Sequence, residues 1–259
     1  MLRTGLILLC LAQAASAGDP AWLSRAVAQT KKTLARLGAA PGSPSYPSKT
    51  AKNATTGEWE WTTSSGWTSG FFPGTLWLLA NRTGDAELFA AAKAYTAGRA
   101  VEANNTGTHD VGFMVFDSFG KGIELGGAVL SAGERAAYGA TVQQAAASLA
   151  SRYSNVVQMT RSWGQKTDNK QFEVIIDNLM NLELLFWAAE HAPPAATTTT
   201  DAARLREIAV NTATNMGRHW IRADGSTFHL VVFDPATGAV KSRSGTPQGL
   251  ATNSTWARG

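Results

Sequence analysis

Helix signals follow one another through almost the whole chain and alternate in character. Apolar residues at helical spacing, N-caps and glycine stops predict eight helices, at residues 20–37, 70–81, 85–102, 112–126, 131–153, 172–191 and 201–219 and from about residue 254. The second, fourth, sixth and eighth each begin after a cluster of aromatic and polar residues, whereas the others are rich in alanine and amphipathic. The simplest arrangement is a ring of helical hairpins, with the even helices inside and their N-terminal ends at one mouth.

Local signals support this organisation. Ser131 with Glu134 fits a capping box, and Gly84–Asp85 marks a tight joint between two helices. Residues 227–233 alternate as a strand does, and the turn sequence at 235–238 predicts one small β-hairpin. Because no linker divides the chain, we expect one domain.

Composition excludes several classes of protein. The 259 residues are 44% hydrophobic and 16% charged, which is typical of a soluble globular protein rather than a disordered chain or a coiled coil. The net charge of +4 is not concentrated in any long Lys/Arg run, so we expect no binding to nucleic acid. Nine tryptophans are an unusually large number, and such side chains either fill a core or stack on sugar rings.

The first residues resemble an export signal. Arg3 supplies the positive start, residues 6–11 the apolar centre and residues 15–17 a small-residue cleavage site, so residues 1–17 form a predicted signal peptide. Cleavage before Gly18 would remove Cys10, the only cysteine. No later apolar run is long enough to cross a bilayer. Acceptor triplets for N-glycosylation begin at Asn53, Asn81, Asn104 and Asn253, and we expect a secreted, extracellular glycoprotein with no membrane partner.

The clusters before the even helices contain the residues best suited to chemistry. They surround Trp67, then His109 and Asp110, then Trp163 and Asp177, and finally Gln248, Trp256 and Arg258. Asp177 follows three β-branched residues and has no adjacent cation. Burial in apolar surroundings raises the pKa of a carboxyl group, as a general acid requires.

Each of these residues also has a structural interpretation. Asp110 and Asp177 stand where an N-cap belongs, and position alone favours capping. A tryptophan taken singly is more often part of a core, and His109 and His229 fit satisfied structural histidines. Arg258 is equally suited to pairing with a surface carboxylate. Since no further His or Cys lies at ligand spacing, we expect no metal site. Only the joint pattern at every second helix start favours a functional site.

Six sequence strings carry a resemblance to a known family. HDVGFM, RSW, IIDNLMNLELLFWA, DGSTFHLVVFDPATG, and TPQG followed by STWARG resemble glycoside hydrolase family 88, the unsaturated glucuronyl hydrolases, across residues 19–259. The resemblance implies an all-α (α/α)6 barrel. Because the family continues well beyond the last string, it also implies that residues 18–259 form a partial catalytic domain, with the barrel incomplete at its C-terminus.

The resemblance also implies an activity and a set of site residues. Members of the family remove an unsaturated uronic acid from the non-reducing end of oligosaccharides left by polysaccharide lyases, by hydrating its carbon 4–5 double bond, and need no cofactor. The catalytic acid corresponds to Asp177 and the second acidic residue to Asp110. The residues that correspond to the substrate-binding set are Trp67, His109, Trp163, His229, Gln248, Trp256 and Arg258.

Two other functions remain open at this point. Unsaturated rhamnogalacturonyl hydrolases share the fold and the chemistry but match the strings less well. A truncated, inactive sugar-binding remnant would retain the aromatic residues without turnover.

Overall fold

The structure is a computed structural model that describes residues 20–37, 45–51, 57–192, 201–246 and 249–255. The chain divides into two compact units, residues 1–40 and 41–259. In the first unit, helix α1 (Ala21–Leu37) matches the first predicted helix, and the predicted signal peptide lies outside the described residues. Within the described segments no helix combines the length and the apolar character needed to cross a membrane.

Three helical hairpins form most of the second unit. Helices α2 and α3 make the first hairpin, a π-helix (Gly112–Gly120) continued by α4 makes the second with α5, and α6 and α7 make the third. Helix α2, the π-helix and α6 lie side by side, as predicted for the even helices. The helix bounds are α2 Phe71–Thr83, α3 Ala86–Ala97, α4 Lys121–Leu125, α5 Ala132–Ala150, α6 Asn178–Glu190 and α7 Ala202–Trp220.

The predicted helix junctions and caps are confirmed. Gly84 closes α2 in the left-handed conformation at φ +71°, which favours glycine. Asp85 then caps α3 by accepting hydrogen bonds from the backbone N–H groups of Glu87 and Leu88. Ser131 and Glu134 form the complete capping box at the start of α5.

The main hydrophobic core lies between the π-helix and helices α5, α6 and α7. Met114, Val115, Leu149, Leu184 and Leu185 are fully buried there. Each fully buried side chain of this size contributes about 1.5 to 3 kcal/mol to folding, so this core holds the helix starts in place.

Short antiparallel sheets accompany the helical hairpins. The predicted hairpin is present, and its turn is closed by Asp234, whose carboxylate accepts hydrogen bonds from the N–H groups of Ala236 and Thr237. It forms part of a three-stranded sheet, and two further two-stranded sheets accompany it, so the β content exceeds the single hairpin predicted. The strands are β1 Tyr46–Thr50, β2 Trp59–Thr62, β3 Tyr153–Ser154, β4 Met159–Thr160, β5 Phe172–Ile175, β6 Leu230–Phe233 and β7 Val240–Ser244.

The sixth predicted helix begins later than expected. Phe172–Ile175 form strand β5, which pairs with β6 so that Ile175 lies opposite Leu230. The β-branched run at 174–176 favours a strand, and β6 supplies the partner that a helix prediction does not consider. The helix predicted from about residue 254 is not formed at Ser254, which lies in a turn, and the residues from 256 onward lie outside the described part.

The fourth predicted helix is a π-helix over most of its length. Its first residue, Gly112, faces α6 so closely that an added Cβ would lie 2.5 Å from Asn181 Oδ1. Gly70, just before α2, lies even closer to the backbone carbonyl of Phe113. Glycine at both positions lets the three helix starts approach one another. π-Helical segments are rare and occur often at functional sites.

Candidate active site

Three neighbouring helix starts meet at one end of the helical hairpins. Trp67 opens the 3-10 turn before α2, Asp110 stands just before the π-helix, and Asp177 lies between β5 and α6. The prediction that the inner helices gather their N-terminal ends at one mouth is confirmed for these three.

His109 lies between the two carboxyl groups. Its Nε2 is 3.1 Å from Asp110 Oδ1 and 3.8 Å from Asp177 Oδ1, and the histidine is fully buried. Two carboxyl groups 67 positions apart in the sequence thus form one cluster around a single histidine nitrogen.

The surroundings of Asp110 favour its ionised form. Burial alone would raise the pKa of this carboxyl, but the contact with His109, the Thr108 hydroxyl and the charge of Arg152 outweigh burial and lower the pKa. The Thr108 hydroxyl donates to Asp110 Oδ2 at 2.6 Å. The His109 backbone N–H donates to the carbonyl of Ser162 at 2.8 Å, which anchors the segment. Asp110 is therefore held as an anion.

Asp177 has the opposite character. It occupies the N-cap position of α6, yet its side chain makes no capping hydrogen bond, so capping does not explain it. Oδ1 is buried and has no hydrogen-bond partner among the described residues. Burial raises the pKa of Asp177, the negative charge of Asp110 adds to the increase, and His109 and His229 oppose it. A carboxyl group whose pKa is raised in this way is typical of a general acid.

His229 reaches the site from the three-stranded sheet. Its backbone carbonyl accepts a hydrogen bond from the Ile176 N–H at 2.9 Å, one residue before Asp177. Burial lowers the pKa of His229, and the Asp177 charge partly opposes this. Strand β5, whose residues were predicted to be helical, is therefore the element that brings His229 beside Asp177.

Aromatic side chains flank the cluster. The Trp163 ring meets the His109 ring edge to face, with centroids 6.1 Å apart. Trp67 packs against Phe71 and Phe113 at 5.8 and 6.1 Å, and 54% of its surface remains exposed. Trp67 is therefore not a core residue, and its open face is suited to stacking on a sugar ring.

Sequence reasoning missed Arg152, which ties two site loops together. Arg152 is 3% exposed, and its guanidinium donates to the carbonyls of Thr106, Arg161 and Gly164 at 2.6, 2.8 and 3.4 Å. These carbonyls flank the segments that carry Asp110 and Trp163. An arginine just after an alanine-rich helix has no sequence signal for such a role, because all three acceptors are backbone atoms.

One ligand atom from each of His109, Asp110 and Asp177 lies within 4.8 Å of the others. The expectation of no metal site rested on sequence spacing, which does not detect a cluster assembled from two distant segments. The three donor atoms are close enough for a cation, so the absence of a metal stays a prediction. The remaining predicted site residues, Gln248, Trp256 and Arg258, lie outside the described residues, and their roles also stay predictions.

Comparison with known proteins identifies relatives in sequence and in structure. The chain is 39% identical over 196 residues to an unsaturated glucuronyl hydrolase of Formosa agariphila, and this match covers 76% of the chain. It is 32% identical over 196 residues to an unsaturated chondroitin disaccharide hydrolase of Streptococcus agalactiae, and this match covers 74% of the chain. A crystal structure of an unsaturated glucuronyl hydrolase specific for heparin superposes with a TM-score of 0.73 at 32% identity over 91% of this chain. No protein-family profile matches the chain.

The match covers only part of these relatives. The chain spans about half their length: 45% of each of the two relatives matched by sequence and 58% of the crystallised one. Within that span its helical hairpins correspond to the α/α-barrel fold of the relatives. From identity and fold together, the chain belongs to the unsaturated glucuronyl hydrolase family.

Proposed function

We propose that this protein is a glycoside hydrolase that removes the unsaturated uronic acid from the non-reducing end of lyase-generated oligosaccharides. The observation that carries the proposal is the pair of carboxyl groups joined by His109, with the pKa of Asp110 lowered and the pKa of Asp177 raised. Two carboxyl groups tuned in opposite directions supply one proton donor and one anion.

The unsaturated uronic acid is a vinyl ether, and its chemistry needs these two groups. Asp177 donates its proton to carbon 4, and the electrons of the double bond form the new C–H bond, which leaves an oxocarbenium ion at carbon 5. The anionic Asp110 stabilises this positive charge. Water then adds to carbon 5 and returns a proton to Asp177. The resulting hemiketal opens and releases the neighbouring sugar, without a covalent bond between sugar and protein.

The names of the relatives support a glycosaminoglycan origin for the substrate. One relative is named for unsaturated chondroitin disaccharide and one structure for its specificity for heparin. We therefore propose anionic, lyase-generated disaccharides of this class as substrates. The exposed face of Trp67 and the Trp163 ring beside His109 offer the flat apolar surfaces on which sugar rings stack.

The proposal is tested by following the ultraviolet absorbance of the conjugated double bond. Purified protein should abolish this absorbance with unsaturated chondroitin disaccharide and leave a saturated aryl glucuronide intact. Equal rates on both substrates, or no turnover of the unsaturated one, would contradict the proposal. Because proton transfer by Asp177 needs no metal, treatment with a chelator should leave the rate unchanged.

A further inference from the structure

Asn181 bridges the two backbone segments that carry the carboxyl groups. It lies in the first turn of α6, is fully buried, and has no role in the proposed proton transfer. Its Oδ1 accepts a hydrogen bond from the backbone N–H of Phe113 at 2.8 Å, and its Nδ2 donates to the backbone carbonyl of Asp177 at 3.2 Å. One amide side chain thus connects the start of the π-helix to the residue that precedes α6.

The contact leaves little freedom of movement between the two helix starts. An added Cβ at Gly112 would lie 2.5 Å from Asn181 Oδ1 and 2.8 Å from its Cα, so the π-helix rests directly on α6. The Phe113 N–H belongs to the first turn of its helix, where backbone donors lack a partner within the helix. Asn181 accepts the hydrogen bond from this donor. Because Asn181 is itself held in α6, this hydrogen bond fixes the position of the start of the π-helix, which a hydrogen bond to water would not do.

The neighbouring asparagine of α6 has a different partner. Asn178 donates to the Thr160 carbonyl at 2.6 Å and accepts from the Thr160 hydroxyl at 2.9 Å. The first turn of α6 is therefore attached to strand β4 by Asn178 and to the π-helix by Asn181. Only the second attachment joins the Asp177 segment to the Asp110 segment.

We propose that Asn181 is a positioning residue that fixes the separation of the Asp110 and Asp177 carboxyl groups. Phe113 lies three residues after Asp110, so a displacement of the π-helix start moves that carboxylate relative to Asp177. Catalysis that depends on two groups acting together is sensitive to such a displacement, and about 1 Å of misplacement costs about a hundredfold in rate.

The separation of the Asp110 and Asp177 carboxyl groups can be measured without substrate turnover. Two carboxyl groups interact by Coulomb's law, so replacing Asp110 by Asn should lower the pKa of Asp177, and the decrease reports how close the groups lie. We would titrate the Asp177 carboxyl carbon by NMR in the wild type, Asp110→Asn, Asn181→Leu and the double variant. The decrease caused by Asp110→Asn should be smaller in the Asn181→Leu background, and an equal decrease in both backgrounds would overturn the proposal.

A second variant tests the same bridge by chemical rescue. In Asn181→Asp, the neutral carboxyl present at low pH has one acceptor and one donor, as the amide has, whereas the ionised form loses the donor. The kcat of this variant relative to wild type should be near one at low pH and fall at least about tenfold as the pH rises, with KM little changed. If the kcat of Asn181→Asp relative to wild type did not change with pH, the proposed bridging role of Asn181 would be contradicted. This variant also serves if Asn181→Leu fails to fold.

Asn215 provides a matched control. It is another buried asparagine on a helix, α7, and donates to the carbonyl of Gln158 at 3.3 Å, away from both carboxyl groups. Asn215→Leu should lower thermal stability as Asn181→Leu does, but should leave the coupling between Asp110 and Asp177 unchanged. The kinetic experiment on Asn181→Asp rests on the proposed function, whereas the NMR titration does not. Failure of the proposed reaction can therefore be distinguished from failure of the proposed role of Asn181.

Discussion

The two carboxyl groups of the site lie on either side of one histidine and have opposite surroundings. Asp110 receives a hydroxyl donor from Thr108, contacts His109 at 3.1 Å and feels the charge of Arg152, and these interactions lower its pKa despite burial. Asp177 lies farther from His109, at 3.8 Å, has a buried oxygen without a donor among the described residues, and feels the charge of Asp110. The same type of side chain therefore has a lowered pKa in one segment and a raised pKa in the other.

This difference arises from the backbone elements that present the two residues. Asp110 follows a loop whose Thr108 hydroxyl donates to its carboxylate, and the buried Arg152 holds that loop through the carbonyl of Thr106. Asp177 follows a buried strand, where the apolar residues before it offer no donors. Local polarity, rather than residue type, decides the direction in which each carboxyl pKa is shifted.

Replacing the acid should produce the largest effect. Asp177→Asn should lower kcat by about 10² to 10⁴, the range for general acid catalysis, because the amide cannot donate the proton. Absorbance loss with unsaturated chondroitin disaccharide measures the rate. The folded-state pKa of Asp177 is raised, so wild-type stability falls as the pH rises through the interval between the unfolded and folded pKa values. The variant should therefore melt at the same or a higher temperature above that interval, and a lower melting temperature would indicate a structural role.

Replacing the anion tests the other side of the comparison. Asp110→Asn removes the charge that we propose stabilises the oxocarbenium ion, and we expect a loss of about a hundredfold in kcat. Because the Asp110 charge raises the pKa of Asp177, the alkaline limb of the pH–rate profile should also move to lower pH. A profile that does not move would show that the two carboxyl groups are not coupled.

The pH profile of the unmodified protein should be limited on the alkaline side by Asp177. Its raised pKa means that the active, protonated form is lost as the pH increases, with about a tenfold decrease in rate per pH unit beyond that pKa.

A second carboxyl group with a raised pKa needs a control in this experiment. Burial is the chief cause that raises the pKa of Asp117, in the π-helix, to about 7. Asp117→Asn should keep the alkaline limb in place, and a rate that is flat from about pH 5 to 9 would contradict the assignment of Asp177.

The aromatic residues should show the smallest effects. Trp67→Ala should raise KM by about two- to tenfold with kcat nearly unchanged, because an exposed ring adds stacking energy and little else. Trp163→Ala should raise KM similarly and also lower kcat, since the Trp163 ring contacts His109. Steady-state kinetics on the same disaccharide separates the two cases. If the two variants changed KM and kcat in the same way, the distinction between Trp67 as a stacking surface for sugar and Trp163 as a support for His109 would be wrong.

Part of this site was accessible from the sequence. The apolar surroundings of Asp177 in the sequence predicted its raised pKa, and the structure agrees. Strand β5 carried a usable signal as well, because the β-branched run at 174–176 favours a strand. Asn181 had a weaker signal: it is one of a few polar residues in a largely apolar helical stretch. No local pattern indicated that its partner would be the backbone of Phe113.

The sequence by itself determined the helical hairpins, their caps and the order of aromatic and acidic clusters, because these depend on interactions within a few residues. Tertiary structure alone decided that His109 touches both carboxyl groups, that Asp177 does not cap its helix, and that Gly112 lets the π-helix rest on Asn181. Distances between segments that are far apart in the chain follow from packing of whole helices and sheets. Such packing depends on the combined shape of many side chains, which no short sequence motif contains.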